Sequence, residues 1–219
     1  MSALKKPFHF SEADYLAFDA TTDLKHEYVD GYIHAMAGAS ERHNRIAMNI
    51  GFHLRAGARG SHCGVFLSDM KFRTEHGRFY YFPDVMLVCN QDDDDQFYKE
   101  KPCFIAEVAS VSTEKIDRRE KWLTYSKVES LRYYLLVDST KKFVEYYFRD
   151  EQNQWQAAIL EDGETLVCEC ENYRAVLDVD SIYEDVIFNN SDNADFPKTS
   201  EPLLNNIWNN ADDAEYDRL

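Results

Sequence analysis

The segment Cys103-Phe-Ile-Ala-Glu-Val-Ala109 constrains the fold more than any other stretch of the chain. Six of its seven residues are apolar and only Glu107 is charged. A strand exposed on one face alternates apolar and polar residues, whereas this one is continuous, the pattern of an interior strand covered on both sides. Packed layers must then lie above and below the sheet that holds it, and helices commonly supply them. The alternative is an edge strand with Glu107 turned to water.

The remaining segments fit such a sheet. Ser11-Glu-Ala-Asp14 opens a short helix through about Phe18, with Ser11 as N-cap. Asp30-Gly31 joins His26–Val29 to Tyr32–Met36 as a hairpin. Ser40 to Ala56 reads as a helix whose buried stripe is Ile46, Ile50 and Leu54, with Gly57 near its end. Val65–Arg73, Phe79–Val88 and Cys103–Ala109 read as strands. A helix follows over Thr113 to about Lys127. Strands resume at Tyr133–Val137, Phe143–Phe148, Trp155–Leu160 and Thr165–Cys170, and a short helix near Asp180–Val186 closes the domain. The expected fold is α/β, a mixed central sheet flanked by helices in a single domain over residues 1–188. Residues 189–219 are rich in Asn and Asp and form an acidic, flexible C-terminal tail with seven acids against Lys198 and Arg218.

Composition narrows the function. The 219 residues suit one domain, and 44% hydrophobic content supplies a core. Forty acids against 24 bases leave a net charge of −16, which argues against nucleic-acid wrapping by bulk electrostatics and against a polybasic membrane binder. No apolar run approaches the ~18 residues of a membrane span. The amino end lacks the apolar stretch of a signal peptide. The five cysteines, at 63, 89, 103, 168 and 170, form an odd, scattered set. Their pattern predicts reduced thiols in a cytoplasmic protein and no structural zinc. Gln91-Asp-Asp-Asp-Asp95 lacks the glycine and terminal glutamate of a calcium loop and reads as a solvated connection.

Chemistry concentrates at a few positions. Asp84 follows Pro83 and heads the apolar run Val85–Val88, where an aspartate alone often serves only to bond nearby backbone. Glu107 changes that balance, because a buried carboxylate requires a cation, a hydrogen-bond network or a raised pKa. The two strands are joined by a short connection and can pair as neighbours, bringing both carboxylates within reach of one divalent cation. The helix after Glu107 carries Lys121 and Tyr125 four residues apart on one face. Glu27, before the Asp30-Gly31 turn, is a third acid. Single surface ion pairs and solvated hairpin acids account equally well for Lys121 or Glu27 taken alone.

In order along the chain stand His26-Glu27-Tyr28-Val29-Asp30-Gly31, His43, Tyr81-Phe82-Pro83-Asp84-Val85, Glu107-Val108-Ala109-Ser110-Val111-Ser112-Thr113, Lys121 with Tyr125, and Tyr133-Tyr134-Leu135-Leu136-Val137-Asp138. This series resembles the Uma-type restriction endonucleases of the PD-(D/E)XK nuclease superfamily over roughly residues 8–188. Order and spacing carry the likeness, not any single motif. The resemblance implies a restriction-endonuclease-like fold, DNA as substrate and Mg²⁺ as cofactor, with Mn²⁺ as substitute. It implies that Asp84 and Glu107 are the metal ligands, that Glu27 completes the acidic cluster, and that Lys121 is the catalytic lysine. His43 and Tyr125 are auxiliary candidates. The superfamily's usual lysine position, two residues after the second acid, is Ala109 here. Val111 and Tyr134 stand where proline and tryptophan are common. A homodimer would suit double-strand cleavage. The competing function is a catalytically silent nuclease fold kept for binding protein or nucleic acid.

Overall fold

The protein is described from a computed structural model covering residues 9–36, 38–109 and 120–188. Local signals set its first elements. The Ser11 hydroxyl accepts from the Asp14 N–H while Asp14 accepts from the Ser11 N–H, so helix α1 (Glu12–Asp19) starts on a reciprocal cap. Strands β1 (His26–Val29) and β2 (Tyr32–Ala35) form the expected hairpin. Its central residues have φ of 45° at Asp30 and 90° at Gly31, the left-handed values that a tight two-residue turn requires. Helix α2 (Glu41–Gly57) is capped by Ser40, whose hydroxyl accepts from the His43 N–H.

Two expected strands are each broken in two. Val65–Arg73 divides into β3 (Gly64–Leu67) and β4 (Lys71–Thr74), because Met70 N–H turns back to the Leu67 carbonyl. Phe79–Val88 divides into β5 (Phe79–Tyr81) and β6 (Val85–Val88) around Pro83, which lacks a ladder donor. The halves enter different sheets. With β7 (Tyr98–Lys99), β4 and β5 join the hairpin in a five-stranded sheet ordered β2-β1-β5-β4-β7.

The central sheet has six strands, ordered β11-β10-β9-β8-β6-β3. It takes in β8 (Phe104–Ala109), β9 (Tyr133–Asp138), β10 (Val144–Arg149) and β11 (Trp155–Leu160). Parallel pairing of β8 with β9, among antiparallel neighbours, makes it mixed. Strand β8 is interior and buried at every residue, so the edge-strand alternative for Glu107 is excluded. Strand β12 (Thr165–Cys170) pairs with β13 (Tyr173–Asp178), which the sequence reading passed over, and helix α4 (Val179–Ile182) follows.

Each face of the central sheet has its own core. Ile46, Ile50 and Leu54 of α2 pack with Leu87, Phe104, Ala106, Leu135 and the β12–β13 hairpin on one side. The other side is aromatic. Helix α3 (Trp122–Tyr125) sets Trp122 4.1 Å from the Tyr147 ring centroid, with Tyr125 and Tyr134 alongside. The helix expected over Thr113–Lys127 is thus seen through α3, while Thr113–Arg119 and the proposed tail at 189–219 lie outside the described residues.

Two side-chain findings differ from expectation or sharpen it. Four of the five cysteines are paired, Cys63 with Cys89 and Cys103 with Cys170, which corrects the reading of reduced thiols. The register Gly64↔Val88 brings the first pair together just beyond the β3–β6 ladder, and the second ties the start of β8 to the end of β12. Only Cys168, buried, is free. In the acidic loop the buried Lys99 ammonium donates to the carbonyls of Asp93 and Asp95 at 2.8 and 2.6 Å. The loop is folded around an internal cation. Among the described residues no helix is long and apolar enough to cross a membrane.

Candidate active site

Strand register builds the site. Val85 of β6 faces Ala106 of β8, so one rung further sets Asp84 across from Glu107. Pro83 ends the preceding segment, and Asp84 stands directly before β6 at 9% exposure. Its carboxylate is held from both flanks. Oδ2 accepts from the Val108 N–H at 2.8 Å, and Oδ1 lies 2.9 Å from His43 Nε2. Because His43 is the third residue of α2, the helix cap that begins at Ser40 also aims the imidazole.

Glu107 is 3% exposed. Its Oε1 accepts from the Tyr125 hydroxyl at 2.9 Å and from Lys121 Nζ at 3.1 Å. The same ammonium is 3.3 Å from Oε1 of Glu27, which projects from β1 in the other sheet. Lys121 thereby joins the two sheets through one buried charge. Three carboxylates and one ammonium share the junction, and the Tyr81 ring, 5.8 Å from Nζ, adds a favourable face for the cation.

Burial governs the phenols. Desolvation, reinforced by Glu107 and Glu27, drives the Tyr125 hydroxyl well above the ordinary phenol value, so it remains a donor to Glu107. Desolvation pushes Tyr81 up to about 12.

The six residues singled out in the sequence fall into two bonded sets: Lys121 with Glu27, Glu107 and Tyr125, and Asp84 with His43, joined through the β8 strand that carries Glu107 and the Val108 N–H. The lysine arrives from the helix that follows β8, not from β8 itself, where Ala109 stands. Sequence reasoning missed the Val108 N–H, a backbone donor with no signature in residue type. It also gave no part to Tyr81, which stood only at the head of the Tyr81-Phe82-Pro83-Asp84-Val85 series.

The donor set suits a hard divalent cation. Two carboxylates on adjacent strands are the usual protein share of a Mg²⁺ site, which keeps waters and takes substrate phosphate oxygens for the rest. Among the described residues no group of three or more His, Cys, Asp or Glu side chains forms a ready cage for a metal.

A mixed sheet with an aspartate and a glutamate on neighbouring strands, and a lysine bonded to the glutamate, is the arrangement expected of a restriction-endonuclease-like fold. The chain belongs to the Uma2 family, described as "putative restriction endonuclease", which matches residues 12–179. It is 34% identical over 147 residues to the uncharacterized protein slr1290 of Synechocystis sp., covering 66% of this chain and 77% of that one. A second Synechocystis protein, the uncharacterized sll1609, is 32% identical over 65% of this chain and 82% of its own. Among solved structures, a "putative nuclease belonging to DUF820" from Anabaena variabilis ATCC 29413 superposes with a TM-score of 0.64. That match covers 80% of this chain and 97% of the other at 14% identity, a likeness of fold.

Proposed function

We propose that the protein is a Mg²⁺-dependent endonuclease that hydrolyses DNA phosphodiester bonds, with Mn²⁺ able to substitute. The observation that carries this reading is the rung shared by Asp84 and Glu107, with Lys121 bonded to the second acid. Asp84 and Glu107 would hold the metal, which when bound neutralises phosphoryl charge and lowers the pKa of water.

The chain's own residues supply positioning and charge. Val108 N–H and His43 fix the Asp84 carboxylate, and Tyr125 fixes that of Glu107. Lys121, already oriented by Glu107 and Glu27, orients the attacking water or stabilises the charge that grows on the phosphoryl oxygens. Glu27 anchors that ammonium. The aromatic wall of Tyr81 and Tyr125 limits water around Glu107, which strengthens these interactions.

The test is nicking of supercoiled plasmid by purified protein with Mg²⁺ or Mn²⁺, compared with Asp84→Asn and Lys121→Ala. Metal-dependent nicking lost in both variants is the expected result. Equal activity in all three would remove the hydrolytic assignment and leave the fold as a binding module. Calorimetry with Mn²⁺ supplies a readout apart from turnover: Asp84→Asn should lose the heat of binding seen with the unaltered chain.

A further inference from the structure

We infer that the C-terminal segment of the chain, residues 203–217, seats on the outer face of helix α2 and screens that face from other polyanions. The seat stands apart from the hydrolytic reading, while the screening rests on DNA as the substrate. The face is the first observation. Met48, Phe52 and Arg55 fall at i, i+4 and i+7 and so share one stripe of α2, with Arg59 in the turn that follows. Met48 and Phe52 are exposed at 56% and 63%. Leu67 of strand β3, 43% exposed, lies against Gly51 and widens the apolar strip. Charge on the helix is one-sided. Glu41 to Arg59 holds four arginines and one acid, and that acid, Glu41, is bonded to Arg45 at 2.8 Å. Arg55 and Arg59 are exposed and form no ion pair among the described residues.

The end of the chain carries the complementary pattern in the same order. Leu203, Leu204, Ile207 and Trp208 have the spacing that groups apolar side chains on one side of a helix, and Asp212, Asp213, Glu215 and Asp217 follow. Along α2 the apolar pair likewise comes first and the uncompensated cations after. A segment running parallel to α2 sets Leu203–Trp208 over Met48 and Phe52 and its acids over Arg55 and Arg59. The place where the tail begins favours this direction. The Phe188 ring lies 5.8 Å from the Arg42 guanidinium and 5.6 Å from the Tyr183 ring, so the chain leaves beside the first turn of α2. Arg42 and Phe52 are about 15 Å apart along the helix axis. Residues 189–202 can span up to about 45 Å, so the connection reaches with slack.

Charge and tethering together select this occupant. The α2 face of a second copy would bring the same arginines and be repelled, whereas the tail brings seven acids against Lys198 and Arg218. A segment held by so short a connection meets its site at an effective concentration in the millimolar range. Helix α2 also aims His43 at Asp84, so a polyanion on its outer stripe lies on an element that borders the candidate site. With the tail seated, Arg55 and Arg59 are covered, and DNA meets them only in the unseated fraction.

Hydrogen exchange of the full chain, followed by mass spectrometry of its peptides, tests the seat. Amides of residues 203–210 should exchange about 10-fold more slowly than in a free peptide of that sequence, the protection given when about nine-tenths of the molecules are seated. Met48→Glu with Phe52→Glu, both at exposed positions, should abolish that protection while the amides of β8 and β9 keep theirs. Dilution should leave it unchanged, because the contact lies within one chain. Exchange at the free-peptide rate in the unaltered protein overturns the inference. So does protection that survives the paired glutamates or is lost on dilution. Screening is read from the anisotropy of a fluorescein-labelled DNA duplex in EDTA. Full-length Ile207→Ser with Trp208→Ser should bind it about 10-fold more tightly than the unaltered chain, the factor set by the same seated fraction. Equal affinity overturns the screening, and the exchange result decides the seat whether or not the duplex binds.

Discussion

Tyr125 donates its phenolic hydrogen to the Glu107 oxygen that Lys121 also bonds, at 2.9 Å, with the ring fully buried. One carboxylate oxygen thus serves two donors from a single helical turn. Removing the hydroxyl in Tyr125→Phe keeps the ring and deletes a hydrogen bond to a charged group, so unfolding in urea should show a loss of about 2 kcal/mol. A change below about 0.5 kcal/mol would mean that Lys121 alone holds Glu107.

Lys121→Met separates charge from packing, because methionine fills much of the same space. Nicking should fall on the order of 100-fold. Mn²⁺ binding, followed by calorimetry, should persist or tighten, since no ammonium competes for Glu107. Loss of metal binding in this variant would assign Lys121 a structural part only.

The cysteine pairing predicts a thiol count. Unfolding without reductant should expose one thiol to alkylation, Cys168, and reduction should raise the mass-spectrometric count to five. Cys103 and Cys170 are 67 residues apart, so opening that bridge should lower stability by up to about 4 kcal/mol in the chain-entropy account. Five reactive thiols without reductant would refute both bridges.

Stability should decline in alkali. Burial raises the Cys168 thiol from its ordinary 9.0 to about 12 and the Tyr81 phenol from 10.0 to about 12. Below pH 9 both groups are neutral folded or unfolded, and their contribution is fully present. Above it the unfolded chain ionises first, so the urea midpoint should fall between about pH 9 and about pH 12. Cys168→Ala should flatten the lower part of that decline. A midpoint independent of pH over this range would contradict the burial of both groups.

Much of this arrangement is legible in the chain because local chemistry and tertiary demand agree. Ser11, Asp30-Gly31 and Ser40 each state a boundary through their own hydrogen bonds or backbone angles, and the structure keeps all three. The Glu107 strand announces its interior position by lacking alternation. What stayed hidden depends on partners distant in sequence. Residues 65–73 open and close on strand-forming types, and the turn at Ser68–Met70 sends the two halves to different sheets. The cysteine bridges span 26 and 67 residues, and no spacing rule reports which strands will meet. Glu27 reads as a hairpin acid until the second sheet delivers it to Lys121.

The rung that joins Val85 to Ala106 has a further consequence for how faults are handled. Side chains alternate along a strand, so slipping β6 against β8 by one position would part Asp84 from Glu107 and turn one of the two acids to the opposite face. A misaligned copy would therefore lose its chemistry and bury a bare charge in the same step. Such a chain is both inert and unstable, and proofreading of the fold and of the proposed reaction becomes one event.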